Sequence, residues 1–279
     1  MRILVTGAAG MLGQEVMAHL HLLPRHEATG VDLEVDVTDP RAVEACVDAL
    51  LPQAVLHLAA WTDVDGAEAH EERAEAVNAR GTANVARAAA RVGAALVYPS
   101  TDYVFDGRKG APYVEDDPPA PLSAYGRTKR AGEIAALAEC PAGARVARTA
   151  WLYGAGGRNF VDTMLALGAE REEVAVVQDQ EGSPTWAREL APALLALVDQ
   201  PPGIYHTAGA GGVSWAGFAE AIFAAAGLSC RVRRITTAEL GRPAPRPACS
   251  PLAVTRPGAP RLRGWREALE AYLATRVAA

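Results

Sequence analysis

Lysine is almost missing from this chain of 279 residues: Lys109 and Lys129 are the only two among 27 basic residues, and the rest are arginine. Asparagine is scarce as well, at Asn78, Asn84 and Asn159 alone. Both biases fit a thermophile or a GC-rich genome, between which composition does not choose. The four cysteines, Cys46, Cys140, Cys230 and Cys249, are scattered and form no C-x-x-C pair. That spacing argues against a disulfide frame or a thiolate metal site, and for reduced thiols in a cytoplasmic protein. Positive charge is not in excess either: the net charge is -6 and the pI about 5.6. No basic field for nucleic acid or an anionic membrane is expected. No apolar run reaches the ~18 residues of a membrane span, and the N-terminus enters a strand without a signal-peptide core. The partner to expect is a small molecule, with no nucleic acid and no membrane.

What is present is ordinary globular composition, half of it hydrophobic, arranged as repeated β-α units. Residues 2–6 are an apolar β-branched run that reads as a buried parallel strand. The turn Gly7-Ala-Ala-Gly10-Met11-Leu12-Gly13 follows at once and leads into a helical pattern. Strand, glycine turn and helix in that order give a glycine motif its meaning. Gly7 permits the tight turn, Gly10 lets a diphosphate approach backbone N–H groups, and Gly13 lets the helix pack on the strand. A second strand ends at Asp32, ~20 residues beyond the glycines, where an acid can hold adenosine ribose hydroxyls. Asp36 and Val37 are candidate adenine contacts, and Asp39-Pro40 opens a helix over 40–51. A strand over 54–60 contains His57, read as a core residue, and ends in the loop Trp61–Asp65. A single long helix over 70–92 and a strand over 95–100 complete four β-α repeats. These predict a Rossmann-type α/β fold, a doubly wound parallel sheet, with ligands beyond the carboxyl ends of the strands. Gly7, Asp32, Ala60, Ser100 and Thr101 all fall at such ends.

The stretch from Tyr98 to Lys129 carries the chemistry. Tyr125 and Lys129, four residues apart at a helix start, share one face, so a phenol and an ammonium can meet there. An ammonium beside a phenol lowers its pKa from ~10, which makes a usable acid or base. Alone, Y-x-x-x-K is a chance spacing about ten times out of eleven. In a chain with two lysines it weighs more. Lys109, between Arg108 and Gly110, reads as a surface residue, and Thr101 adds a hydroxyl to the same pocket.

Beyond Lys129 regularity weakens. A strand over 144–149, helices near 159–170, 186–199 and 264–276, a short strand V-A-V-V and a strand over 204–209 are expected. A helix over 215–226 is capped by Ser214. Residues 242–263, rich in proline and arginine, have no apolar period and read as an exposed connector, or as a source of arginines for a diphosphate.

The motifs GAAGMLG (7–13), AAWTDVDGAE (59–68), STDYVFDG (100–107), YVEDDPPAPLSAYGRTKRAGE (113–133), RTAWLYG (148–154), NFVDTM (159–164), VVQDQEGSPT (176–185) and GIYHTAG (203–209) resemble those of the extended short-chain dehydrogenase/reductases. Within that superfamily they are similar to the dTDP-4-dehydrorhamnose reductases. The resemblance covers most of the chain, and where such proteins often show R-P-x-N-S-x-L-D this one has Arg246-Pro-Ala-Cys249-Ser-Pro-Leu-Ala253. It implies that Tyr125 protonates the C4 oxygen of a 4-keto-6-deoxy sugar nucleotide as the nicotinamide delivers hydride. It implies that Lys129 holds the nicotinamide ribose, that Thr101 bonds the reacting oxygen, and that Asp102, Trp151 and Arg246 meet the substrate. Gly7, Gly10, Met11, Leu12, Gly13, Asp32, Asp36, Val37, Ala59, Ala60, Trp61, Tyr125 and Lys129 would line the dinucleotide site. Residues 1–150, with 184–209 returning, would form the dinucleotide-binding domain, and 151–183 with 210–279 a smaller C-terminal α/β substrate-binding part. The related dehydratases carry Thr-Asp-Glu where this chain has Thr101-Asp102-Tyr103, so elimination lacks its second proton carrier and simple reduction is favoured. Asp32, with no arginine in Leu33-Glu34-Val35, should favour NADH over NADPH. A divalent cation and a homodimer are left open. The alternatives are another sugar-nucleotide epimerase or reductase, or a non-catalytic NAD(P)-binding regulatory subunit resembling the methionine adenosyltransferase β subunit.

Overall fold

The structure, a computed structural model, describes residues 1–277. Its first part alternates as β1 (Arg2–Thr6), α1 (Met11–His21), β2 (Glu27–Val31), α2 (Pro40–Leu50), β3 (Ala54–His57), α3 (Val64–Ala69), α4 (Glu71–Glu75), α5 (Thr82–Arg91), β4 (Ala95–Thr101), α6 (Ala124–Glu139) and β5 (Ala144–Thr149). The second part runs β6 (Leu152–Tyr153), α7 (Phe160–Glu170), β7 (Glu173–Val177), β8 (Glu181–Gly182), β9 (Thr185–Trp186), α8 (Ala187–Leu197), β10 (Gly203–His206), β11 (Val213–Ser214), α9 (Trp215–Ala225), β12 (Arg231–Ile235), α10 (Thr237–Leu240) and α11 (Trp265–Val277).

Six strands form one parallel sheet in the order β10-β5-β4-β3-β1-β2. Strands such as Ala54–His57 are buried along their whole length, as expected where helices cover both faces. One face buries Val43, Val47, Val85, Ala89 and Tyr98 with their neighbours. The other buries Ile3, Val5, Val16, Leu190 and Leu194, so α8 lies against the β1 side of the sheet. The chain winds outward from β1 in both directions, and the crevice at that switch point opens between the loops that follow β1 and β3. Those loops touch: Gly7 has φ +67°, and a Cβ there would stand 2.6 Å from the Ala59 amide nitrogen. A side chain would be strained at that φ and would force the loops apart.

The second part has its own core of Tyr153, Val161, Trp186, Phe218, Ile222 and Tyr272. The caps read from sequence are present: Asp39 accepts from the Arg41 amide and Ser214 from the Gly217 amide. Three elements differ from expectation. The helix over 70–92 is interrupted by a π-turn at Ala76–Gly81, where the buried Asn78 turns its amide toward the loop after β3. Such bulges occur where a side chain must be aimed off the regular face. The strand over 54–60 stops at His57, because Leu58 to Trp61 belong to the crevice. Finally, β12 pairs in parallel with β7; its sequence Arg-Val-Arg-Arg-Ile offers a single apolar residue before its buried end, too little alternation to recognise.

Candidate active site

The glycine turn presents an open helix N-terminus. Gly10 caps α1 with no side-chain hydrogen bond, so the first amides of the helix face outward with the positive end of its dipole. A Cβ on Gly10 would meet only the Gly7 carbonyl oxygen, at 3.3 Å, which leaves the approach clear for a diphosphate. Asp32 lies beside this turn, and its Oδ2 accepts from the Ala9 amide at 2.9 Å. Its own amide donates to Glu34 Oε1 at 2.9 Å, which adds a second carboxylate here. Met11 borders the loop at Gly154 and Gly157, and Leu12 packs on the core under the turn. The far side of the crevice is Ala59, Ala60 and Trp61, all half-buried. The two expected adenine contacts follow in the loop after β2. Asp36 is exposed and holds the Thr38 amide and hydroxyl at 2.9 and 2.8 Å, while Val37 is a core residue packed toward Gly81.

Asn78, which sequence reasoning passed over, fixes the Trp61 backbone from both sides. Its Oδ1 accepts from the Trp61 amide at 2.8 Å, and its Nδ2 donates to the Trp61 carbonyl and to Thr128 Oγ1, each at 3.1 Å. The π-turn is the physical reason for this reach, and periodicity gives no warning of it. His57 is the satisfied core histidine expected: it bonds Thr6 and Thr82, and burial lowers its pKa to about 3.

Thr101, the last residue of β4, meets Tyr125 at the mouth of the same crevice, while Lys129 reaches Pro99 and Tyr98 further back in that strand. Ser123 caps α6 and so sets the turn from which Tyr125 projects. Tyr125 is half-buried, and desolvation of its phenol raises the pKa to about 12; a hydrogen bond with Thr101 lowers it and the Asp102 charge raises it. The expected depression by Lys129 is not found. The Lys129 ammonium donates to the Pro99 carbonyl at 2.8 Å and sits 4.1 Å above the ring of Tyr98, not of Tyr125. Burial brings its pKa down to about 7, against an opposing pull from Glu133. Glu133, one turn further along the same face, is itself paired with Arg148 at 2.8 Å. The reason for the difference is geometric: the i, i+4 spacing puts both groups on one face, but the lysine stem reaches down the helix into the sheet. Lys109 is exposed as expected and pairs with Asp117.

The substrate side is built from the stretch read either as an exposed connector or as a source of arginines for a diphosphate. Residues 242–256 lie across the carboxyl ends of the strands, pinned through Arg246, Ser250 and Thr255. Asp65 accepts from Arg246 Nη2 with both oxygens at 3.0 Å and from the Ala244 amide at 3.1 Å, and Arg242 approaches at 3.3 Å. Ser250 donates to Asp102 Oδ2 at 2.6 Å. Glu115 accepts from the Thr255 and Arg256 amides. Arg246 thereby stands beside Tyr103, whose ring meets that of Tyr125 edge-on at 5.6 Å. Asp102 is buried, and its pKa rises to about 6 because burial outweighs its bonds from Ser250 and Thr101. Trp151, two residues past the end of β5, completes this side. Thus Thr101, Asp102, Tyr125 and Arg246 gather around one mouth, with Trp151 against Gly182 next to the Glu181–Ser250 contact, whereas Asp65 and Ser250 were missed in the sequence. No cluster of three or more His, Cys, Asp or Glu side chains that could hold a metal ion occurs among the described residues, and no helix among them is long and apolar enough to cross a membrane.

Comparison with known proteins agrees with this geometry. A family described as the RmlD substrate binding domain matches residues 1–277. A dTDP-4-dehydrorhamnose reductase of Streptomyces griseus is 46% identical, over 96% of this chain and 91% of that protein. The crystal structure of a dTDP-4-dehydrorhamnose reductase from Clostridium acetobutylicum superposes with a TM-score of 0.94 at 40% identity, covering 99% of this chain and 100% of that one. One from Bacillus anthracis, in complex with NADP, gives 0.94 at 38% identity, with 98% and 99% covered. On these matches and on its own motifs, the chain belongs to the dTDP-4-dehydrorhamnose reductase family.

Proposed function

We propose that this protein reduces the C4 keto group of a nucleotide-linked 4-keto-6-deoxy sugar with NAD(P)H, converting dTDP-4-dehydro-L-rhamnose to dTDP-L-rhamnose. The observation that carries the reading is the phenol of Tyr125, half-buried beside Thr101 at the mouth of a switch-point crevice. A reductase must give a proton to the oxygen that gains electrons, and the protonated phenol beside the Thr101 hydroxyl is the donor placed for it.

The residues present fit a dinucleotide. The uncapped start of α1 suits a diphosphate, Asp32 a ribose, and Lys129 a second ribose near the reacting carbon. When bound, the nicotinamide would supply the hydride that C4 receives. Thr101 orients the keto oxygen with its hydroxyl and shares the hydrogen bond of Tyr125. Tyr125 donates its proton to that oxygen. Lys129 bonds the Pro99 carbonyl and covers the Tyr98 ring, so its part is to hold the cofactor ribose and not to stabilise the Tyr125 phenolate. Tyr103 stands where dehydratases carry glutamate, so the pocket has no second acid placed to expel water. Arg246, aimed by Asp65, faces the diphosphate of the sugar nucleotide, and Trp151 its sugar. In this reading residues 1–150 and 184–209 hold the cofactor, and 151–183 with 210–279 hold the sugar nucleotide.

The test is turnover. Purified protein, NADH or NADPH and a panel of dTDP- and UDP-linked 4-keto-6-deoxy sugars should give oxidation of the nicotinamide and a 4-hydroxy product identified by NMR. Binding of NADH without turnover of any member would overturn the reading in favour of a binding subunit.

A further inference from the structure

The backbone of Trp151 is unusual. It has φ +46°, and among the described residues only Leu51, a helix C-cap, shares a positive φ without being glycine. A bulky residue keeps such a conformation only where its surroundings over-determine it, and such residues gather at ligand clamps. The surroundings here are specific. The Trp151 indole lies flat on that of Trp215, with ring centroids 3.4 Å apart and planes 2° from parallel. A Cβ on Gly182 would collide with the edge of the same indole, so glycine is required there for the ring to fit. The Trp151 carbonyl accepts from the Thr185 amide at 3.2 Å.

Trp215 is in turn held from behind. It opens α9, whose first turn is capped by Ser214, and its amide donates to the Gln180 carbonyl at 3.3 Å. Phe160 packs against its ring at 4.5 Å, and Phe160 stacks on Phe218 in the core of the second part. The chain of contact therefore runs from a buried core out to an indole pair that is itself only half-buried. Two tryptophans packed merely to fill a core would be covered. These retain exposed surface, two residues past Thr149, which lies in register with Thr101 on the neighbouring strand.

We propose that Trp215 is a positioning residue for sugar recognition: it clamps the indole of Trp151 as a preformed flat wall next to the Glu181–Ser250–Asp102 contacts, shaped for the deoxygenated face of a 6-deoxyhexose. The inference rests on the reading that Trp151 meets the sugar. A flat aromatic surface favours the carbon-bound hydrogens and methyl group of such a sugar over hydroxyl-rich faces. Holding the ring in place before the substrate arrives removes an ordering cost from binding. The role is one of affinity and not of proton transfer, since Trp215 touches none of the reacting groups.

The experiment compares Trp215→Leu, Trp215→Phe and Trp151→Leu in full-length protein, using a dTDP-linked 4-keto-6-deoxyhexose, dTDP alone and NADH as probes. Trp215→Leu is expected to raise KM for the sugar nucleotide about tenfold or more, with kcat changed less than about threefold. Its Kd values for dTDP and NADH, by calorimetry, should stay within about twofold. Trp215→Phe, which keeps a ring for the stack, should recover most of the loss. An unchanged KM in folded Trp215→Leu, or a parallel loss of dTDP and NADH binding, would overturn the proposal. Trp151→Leu separates the two readings: a normal KM there removes the sugar role of Trp151 itself, whereas a raised KM there with a normal one in Trp215→Leu removes only the clamp. If Trp215→Leu does not fold, a double-mutant cycle of Trp215→Phe with Trp151→Phe decides. Coupling of about threefold or more supports the clamp, and additivity sinks it.

Discussion

The dinucleotide end of the crevice is assembled from neighbours in sequence. Gly7 to Gly13 form one turn, and Asp32 reaches back only 23 positions to the Ala9 amide. The sugar end is assembled from strangers. Asp65 holds Arg246 across 181 positions, Ser250 holds Asp102 across 148, and Thr255 holds Glu115 across 140. A local turn is set as soon as its strand and helix exist, whereas a strap pinned by distant ion pairs is set only when the whole chain has closed. The two ends should therefore respond differently to substitution. Loss of a pin on the strap should cost sugar-nucleotide affinity and leave cofactor affinity alone. Chemistry, performed where the ends meet, should be most sensitive of all.

That meeting point is Tyr125. Tyr125→Phe removes the proton donor and keeps the ring against Tyr103, so kcat should fall about 10²- to 10⁴-fold with little change in the Kd for NADH. Near-normal turnover would move the acid role to another group, Thr101 through water being the nearest. Lys129→Arg comes next. The guanidinium is planar and forked, and does not fit the space between the Pro99 carbonyl and the Tyr98 ring that the compact ammonium fills. A loss of about 10²-fold in kcat/KM is expected, and full activity would reduce Lys129 to a structural cation. The pH profile offers a sharper test of the wild-type lysine. Its folded value of about 7 lies below its ordinary 10.5, so the ammonium, and activity with it, should decline as pH rises through about 7. Between those two values the unfolded chain binds the extra proton, so the stability contributed by this group rises over the same window. Activity and stability should thus move in opposite directions there, and parallel curves would break the assignment.

Much of the cofactor end was legible before the structure. Gly7, Gly10 and Asp32 are read from order and spacing because strand, turn and helix recur in a fixed geometry. The same holds for Tyr125 and Lys129 as a pair, though not for their electrostatics: which ring an ammonium covers depends on Pro99 and Tyr98 in a neighbouring strand. The strap was legible only in part: Arg246 was named as a substrate contact, but not the residues that hold it. Asp65 sits inside a recognised motif, yet nothing in its surroundings names a partner beyond residue 240. Trp215 reads as an ordinary first-turn residue of an apolar helix, and Asn78 is hidden by a π-turn that periodicity does not show.

Asp65→Asn examines the strap directly. It removes the charge that draws in Arg246 and Arg242 while keeping the shape of the side chain. Both members of the Asp65–Arg246 pair are largely buried, with side chains 22% and 14% exposed, so the pair is worth more than a surface salt bridge. KM for the sugar nucleotide should rise about 30-fold, which is about 2 kcal/mol, with NADH binding unchanged. An equal loss of NADH affinity would mean that the strap supports the whole crevice and that the division between the two ends is wrong.

The smallest effect expected is at the other end, in the choice of cofactor. Asp32 borders the glycine turn with one carboxylate oxygen bound to the Ala9 amide, leaving Oδ1 for the ribose. Glu34, whose carboxylate accepts from the Asp32 amide, adds negative charge at the place a 2′-phosphate would occupy. Leu33, almost fully exposed, offers neither charge nor hydrogen bond to receive one. Two carboxylates and no arginine should favour NADH. The crevice is open to solvent at this point, however, and salt and water screen the repulsion. A ratio of kcat/KM for NADH over NADPH of about ten is expected, or 1.4 kcal/mol, and it should shrink as ionic strength rises. Asp32→Asn should bring the ratio toward one chiefly by improving NADPH, because the amide still bonds a ribose hydroxyl but no longer repels phosphate. Equal use of both cofactors by the wild type would mean that Asp32 and Glu34 serve the turn and not the ribose.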